Sequence, residues 1–339
     1  MRRHMEEIDR YSRQTVLERI GKAGQRKLVG SKVTIIGLGA LGTTIATLLA
    51  RAGIGHLRLI DRDVVELVNL QRQILYEEED VGFPKAVKAA KRLRRVNSTI
   101  EIEDIAKDVN YSNVLELIKG SDLIMDGTDN IETRFLVNEA CIKLGLPWVY
   151  GGAIGTEGRV FAIVPKKTAC FRCFSRVPPP GLIPTCETVG ILNSVATATA
   201  SLEVTEAMKL ILGEEPSGNM LVLDGWPPDL LAIKIKRNKE CPICIGGKKE
   251  FLDTRKPQII ATLCGGNTIS FDPLYKGKID LRALEKRLKK VGKARMAGPV
   301  LIFEIGQQKL TIFQDGRGLI NGVKNEEEAR SLYSKYVGL

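Results

Sequence analysis

The chain has 339 residues, 44% of them apolar, with a mean hydropathy of −0.04 and a formal net charge of +11. This length gives room for one large domain or two, each with its own core, in a soluble globular protein. No charge-free apolar run approaches the ~20 residues needed to cross a bilayer, and Arg2-Arg3-His4 leads into acidic residues without the apolar segment of a signal peptide, so a cytoplasmic protein without membrane association is expected.

Residues 6–29 place charged and apolar side chains at helical spacing and predict two short helices, so that 1–29 forms a helical lead-in. The β-branched run Val33-Thr34-Ile35-Ile36 predicts a buried parallel strand over 32–37. Gly37-Leu38-Gly39-Ala40-Leu41-Gly42 follows, then a helix to about residue 52, and a second strand over 56–61 that ends in an acid. Strands are predicted at 100–105, 123–126 and 148–152, with helices at 84–96, 111–119 and 131–144. Such alternation defines an α/β fold, a doubly wound Rossmann-like mixed sheet with helices on both faces.

After Gly152 the pattern changes. Segments 158–164, 220–224 and 231–236 alternate like antiparallel strands, with a long helix over 189–212 between them. Residues 177–185 hold Pro178, Pro179, Pro180, Gly181 and Pro184, which predicts an exposed, mobile loop. A boundary near 246–249 closes a first domain over 30–248. A small basic α+β domain, 251–339, reads strand (258–263), helix (281–291), strands (300–305, 309–313, 318–322) and helix (326–336). From Phe251 onward 16 Lys/Arg stand against 9 Asp/Glu, a surplus of seven. Either nucleic acid or a solvated basic surface accounts for it, and the solvated surface is the favoured reading.

The glycine motif fits a phosphate at a helix N-terminus: Gly37 permits the tight turn, Gly39 lets backbone approach the anion, and Gly42 lets helix pack on strand. Asp61 stands near the spacing at which an acid holds a ribose hydroxyl. These residues indicate an adenosine ligand, with NAD, FAD and ATP all compatible. Asn69-Leu70-Gln71-Arg72-Gln73, Gly82-Phe83-Pro84-Lys85 and Thr128-Asp129-Asn130 favour nucleotidyl transfer over hydride transfer. Arg72 and Lys85 would offset charge on a phosphate and Asp129 would hold Mg²⁺, whereas an NAD-linked oxidoreductase has no use for converging cations.

The seven cysteines include two CxxC pairs, Cys170/Cys173 and Cys241/Cys244. Their spacing predicts a closed four-thiolate structural Zn²⁺ site. Cys141 has apolar helical neighbours and reads as core. Cys186 follows the proline-rich loop, and Cys264 has no assignable partner. His4 and His56 are isolated and read as structural.

From residue 10 to about 246 these motifs, in this order, resemble the MoeB/ThiF family of adenylyltransferases, prokaryotic relatives of ubiquitin-activating enzymes. Arg10-Tyr11-Ser12-Arg13-Gln14, the GLGALG loop, NLQRQ, GFPK, TDN, Gly151-Gly152-Ala153 and the first CxxC stretch carry the resemblance. It implies ATP-dependent adenylation of the Gly-Gly terminus of a small ubiquitin-like sulfur-carrier protein, for molybdopterin, thiamine or tRNA thiolation. It further implies a homodimer in which Arg13 reaches the neighbouring subunit's site. Asn69 and Arg72 would contact the triphosphate, Lys85 the α-phosphate, Asp61 the ribose and Asp129 the Mg²⁺. Some relatives carry a cysteine at the position of Cys186 that bonds covalently to the carrier, and in others it is dispensable. A non-catalytic carrier-binding scaffold is the alternative, against which stand the four residues Arg13, Arg72, Lys85 and Asp129. The C-terminal domain lies outside the resemblance, lacks a rhodanese-like cysteine loop, and faintly resembles one repeat of the TATA-binding-protein fold.

Overall fold

The computed structural model describes residues 10–175, 190–253, 260–262, 268–271 and 278–337. Its chain divides into two compact units: residues 1–62, 67–78 and 85–254, and residues 63–66, 79–84 and 255–339.

The first unit opens on two short helices, α1 (Ser12–Thr15) and α2 (Gly21–Val29). Strands β1 (Lys32–Ile36), β2 (His56–Ile60), β3 (Glu101–Ile105) and β4 (Leu123–Asp126) follow, with helices α3 (Ala40–Ala52), α4 (Lys85–Val96) and α5 (Val114–Ile118) as crossovers. Helix α6 (Ile131–Leu144) leads to β5 (Trp148–Ile154), β6 (Glu157–Ile163), the short α7 (Phe171–Phe174), the 20-residue α8 (Asn193–Leu212), β7 (Asn219–Gly225) and β8 (Pro228–Lys234). The sheet order is β3-β2-β1-β4-β5-β6-β7-β8, parallel through β5 and antiparallel from there. The first crossovers therefore run outward from β1 and the later ones away from it on the other side. The β1/β4 boundary is the crevice in which open α/β sheets bind ligands.

Both faces of the sheet are covered. Helices α5 and α6 bury Val114, Ile118, Phe135 and Leu136 against Ile36, Ile60, Trp148 and Phe161. Helices α3, α4 and α8 lie on the other side. Helix α8 approaches the sheet closely because three adjacent strands offer it glycine. A Cβ on Gly151 of β5 would overlap the Glu203 carboxyl, one on Gly158 of β6 would overlap Thr199 Oγ1, and one on Gly225 of β7 would overlap Val195. Those helix residues are four apart, the spacing that puts side chains in one row.

Several boundaries differ from the sequence reading. Helix α8 starts at Asn193 rather than residue 189, because Gly190 has φ +82° and Ile191 forms a bridge with Gly155. Helix α5 begins at Val114, since Asn110 and Asn113 bond locally and set a turn before it.

The second unit holds a six-stranded antiparallel sheet from β9 (Ile260–Thr262), β10 (Thr268–Phe271), β11 (Lys293–Ala297), β12 (Val300–Ile305), β13 (Gln308–Phe313) and β14 (Gly318–Asn321), in the order β11-β12-β13-β14-β10-β9. Helices α9 (Leu281–Leu288) and α10 (Glu326–Tyr336) pack Leu284, Leu288, Ala329 and Tyr333 on Phe271, Phe303, Leu310 and Ile312. The sequence reading missed β10 and β11. Lys293-Ala294-Arg295-Met296-Ala297 lacks β-branched residues and owes its extension to pairing with β12.

Candidate functional site

The β1–α3 loop is built on close backbone contact. Gly37 has φ +87°, in the left-handed region that glycine adopts without strain, and a Cβ there would lie 2.5 Å from the carbonyl oxygen of Gly127. A Cβ on Gly42 or on Gly127 would overlap the Gly37 oxygen. The loop after β1 thus rests directly on the loop after β4. Around Gly39, the N-cap of α3, no atom comes closer than 3.9 Å to where a Cβ would stand. That leaves room for a phosphate to meet the backbone N–H groups of the 13-residue helix.

Other segments converge on this loop. Asp61 is buried, and its Oδ2 accepts the Leu38 N–H at 2.6 Å. The Tyr76 hydroxyl lies 3.1 Å from the Leu38 carbonyl and 3.4 Å from the Lys85 carbonyl, joining the glycine loop to the start of α4. Lys85 itself is buried as the first residue of that helix. Asn69 is buried, and its carbonyl accepts the N–H groups of Arg72 and Gln73 at 3.1 and 3.0 Å. Arg72 donates to the Val68 carbonyl at 3.0 Å and lines a cavity of about 420 Å³ with Gln71, Ile74, Asn193 and Thr197.

Asp129 is exposed on the turn between β4 and α6. Asp126 Oδ1 accepts Thr128 N–H at 2.9 Å and its hydroxyl at 2.6 Å, and Asn130 caps α6 by accepting from Glu132 N and Thr133 N. Arg134 donates through Nε to Asp126 Oδ2 at 2.8 Å, and through Nη2 to the carbonyls of Thr128 at 2.6 Å and Gly151 at 2.9 Å. Burial works against the charged guanidinium, but the Asp126 carboxylate outweighs it and holds the Arg134 pKa above its usual value. The structure thus gathers Gly37, Gly39, Gly42, Asp61, Lys85 and the Asp129 turn around one loop.

Arg13 stands apart. It is exposed on α1, whose flanking side chains are pinned inward: the Tyr11 hydroxyl accepts from Asn97 Nδ2 at 2.8 Å, and Gln14 Nε2 donates to the Ala52 carbonyl at 2.9 Å. Cys186, Cys264, His4 and the 177–185 loop lie outside the described residues. His56 sits between Glu101 and Glu103, 3.3 and 3.4 Å away, on the far side of the strands. Cys141 is fully buried, and desolvation raises its pKa.

The four CxxC sulfurs all lie within 4.8 Å of one another. Cys170 Sγ is 3.7 Å from Cys173 and 3.6 Å from Cys241, and Cys173 is 3.6 Å from Cys244. Four sulfurs at a Zn–S length of about 2.3 Å on a tetrahedron would stand about 3.8 Å apart, so the cluster fits a metal ion such as zinc. The Cys170 thiol beside Cys173 holds the latter down to about 5, while the same neighbour and burial push Cys170 up.

Sequence reasoning missed Tyr76, Gly127, Arg134 and Glu203. Only Gly127 carried a local signal, a glycine directly after a predicted strand. The other three matter through neighbours 38 to 77 residues away or on another strand.

A glycine loop at the β1/β4 crevice, with buried Asp61 and Lys85 beside it, has the form of a nucleotide-binding α/β protein, and the four clustered cysteines fit a metal ion such as zinc. The ThiF family model matches residues 11–243. The chain belongs to the ThiF family. It is 39% identical to the sulfur carrier protein ThiS adenylyltransferase of Bacillus subtilis, over 97% of this chain and 99% of that one. Against the sulfur carrier protein adenylyltransferase of Thermus thermophilus it is 37% identical, over 72% and 93%. Among solved structures, E. coli MccB with ATP superposes with a TM-score of 0.62 at 26% identity, covering 70% of this chain and 74% of that one. Family membership bears out the adenylyltransferase reading over the NAD-linked oxidoreductase alternative.

Proposed function

We propose that this chain uses ATP to adenylate the C-terminal glycine of a small ubiquitin-like sulfur-carrier protein, releasing pyrophosphate. The observation that carries the reading is the convergence of the glycine loop, Asp61, Lys85 and the Asp129 turn at the β1/β4 crevice. A relative that matches along its whole length is named for this reaction. The carrier's carboxylate oxygen forms a bond to the α-phosphorus as the bond to pyrophosphate breaks. The glycine loop and α3 hold the phosphates, Asp61 the ribose, and Asn69 and Arg72 the triphosphate. Lys85 offsets the charge that grows on the α-phosphate. The exposed Asp129 carboxylate suits Mg²⁺, a hard cation that keeps much of its water and takes one or two carboxylates, and that would neutralise the departing pyrophosphate.

A protein substrate fits the exposed strand β8, where Leu230, Leu231 and Ile233 lie beside Trp226, 76% exposed. The outward Arg13 suits action in a partner's site, so the working enzyme is a homodimer in the cytoplasm, and the cysteine cluster holds structural Zn²⁺. The pathway served is molybdopterin, thiamine or tRNA thiolation. Nucleic acid binding by the basic C-terminal unit is the lesser reading, and a salt-dependent shift of generic DNA or RNA would be needed to support it.

The test is ATP–pyrophosphate exchange in the presence of a Gly-Gly-terminated carrier. Lys85→Ala and Asp129→Ala should each lower exchange by about 100-fold or more. Exchange that persists in both variants sinks the mechanism, and none with any carrier favours the scaffold. A reducible adduct between Cys186 and the carrier would assign that thiol a covalent role, and its absence would leave it dispensable.

A further inference from the structure

Arg134 carries none of the nucleotide roles assigned above, yet its side chain bonds to both the Asp129 turn and strand β5. Its side chain is 13% exposed and its partner Asp126 is 2% exposed. Three acceptors from two chain segments, Asp126 Oδ2 and the Thr128 carbonyl at the end of β4 and the Gly151 carbonyl of β5, lie within 2.9 Å of its guanidinium nitrogens. The guanidinium carbon also stands 5.3 Å from the centre of the Tyr150 ring. Asp126 in turn holds Thr128 by two bonds, so the turn is gripped at its start by Asp126 and at its carbonyl by Arg134.

Behind this clamp lies Glu203, fully buried, with neither carboxyl oxygen hydrogen-bonded, seated where a side chain on Gly151 would be. A buried carboxyl without a partner stays neutral rather than ionise. The charge of Arg134 is therefore matched chiefly by Asp126, with Asp129 adding a smaller pull. With the charge already balanced, its second nitrogen is committed to two main-chain oxygens. That is a task of geometry, which the rigid guanidinium fork performs and a lysine ammonium does not.

We propose that Arg134 is a positioning residue: its fork fixes the 127–130 turn against Gly151 of β5 and thereby sets where Asp129 presents its carboxylate. The consequence for catalysis rests on the reading of Asp129 given above. The structural claim, that Arg134 holds the turn, does not.

The experiment compares the full-length protein with Arg134→Lys, which keeps the charge, and with Thr128→Val, which loosens the same clamp from the Asp126 side. Two measurements are made on each: amide hydrogen exchange over 127–130 without nucleotide, and ATP–pyrophosphate exchange as a function of Mg²⁺ concentration. Arg134→Lys should speed amide exchange at the turn, raise the half-saturating Mg²⁺ and lower the maximal rate about 10- to 100-fold, with a smaller change in KM for ATP. Thr128→Val should shift the same quantities in the same direction by less. Unchanged protection of 127–130, in whichever variant is folded by circular dichroism, overturns the proposal. Faster amide exchange with an unaltered Mg²⁺ dependence overturns its catalytic half. Asp129→Asn, run alongside, separates the two readings: if it leaves Mg²⁺ dependence unaltered, the role of Asp129 fails while the amide measurement still decides the role of Arg134.

Discussion

Glu203 is fully buried, and neither of its carboxyl oxygens has a hydrogen-bond partner. Burial raises its pKa well above the ordinary carboxylate value; the Asp126 charge adds to the effect and Arg134 opposes it, and the Tyr150 ring also faces it. A carboxyl with a raised folded-state pKa contributes stability that is present in acid and lost as pH rises through that value. Glu203→Gln, which keeps the shape without the titration, should therefore raise Tm relative to the parent at alkaline pH, by about 2–4 °C per kcal/mol. The gap should close as pH falls toward 5. A gap that widens in acid would contradict the neutral carboxyl. At the same scale, Gly127→Ala should abolish nucleotide binding, measured by calorimetry, because no movement of a flexible side chain clears the Gly37 oxygen. The tight strand-to-helix turn at Gly37, Gly39 and Gly42 was legible because its pattern is written in a few consecutive residues. Arg134 and Glu203 were not, since each looks like an ordinary charged residue on a helix until its neighbours are folded around it.

At the scale of elements, the order of strands and helices through β5 was legible from runs of β-branched residues and from 3.6-residue periodicity. What escaped was set by pairing or by local backbone: β11, held extended by β12, and the first turn of α8, displaced by Gly190. The row Val195, Thr199, Glu203 against Gly225, Gly158, Gly151 was equally hidden, because six residues on four elements make it. It predicts a coupled pair. Gly158→Ala should cost about 1–3 kcal/mol through overpacking, read by chemical denaturation. Thr199→Ala in the same chain should recover part of that loss, giving a favourable coupling in the double-mutant cycle. Simple additivity would mean that helix and sheet are not in the contact described.

For the molecule as a whole, the cysteine cluster joins residues 71 apart in sequence. The CxxC spacing made this cluster legible without a structure. The protein should carry one zinc per chain by elemental analysis. Stripping it with a chelator should lower stability by on the order of 4 kcal/mol if the ion acts like a cross-link closing that loop. A chain with no bound metal and the same Tm before and after chelation would remove the site. The second unit was legible in class but not in strand count, and its basic surface remains the part of the sequence least explained by the adenylation chemistry.

Helix α6 is held at its start and at its middle. Its first residues belong to the Asp129 turn through Asn130 and Arg134. Two turns on, Asn138 Oδ1 accepts the Phe171 N–H at 2.9 Å, one residue from Cys170, and buried Glu139 accepts the N–H groups of Glu250, Phe251 and Leu252 at 2.9 to 3.0 Å. Eight residues of helix separate Asn130 from Asn138, a rise of about 12 Å, so both supports bear on one short rigid segment. If the cysteine cluster holds zinc, removing it would slacken the support at Phe171, and the shift would reach the Asp129 turn two helical turns away. A chelated enzyme should then need more Mg²⁺ for half-maximal exchange, although the two metals share no ligand.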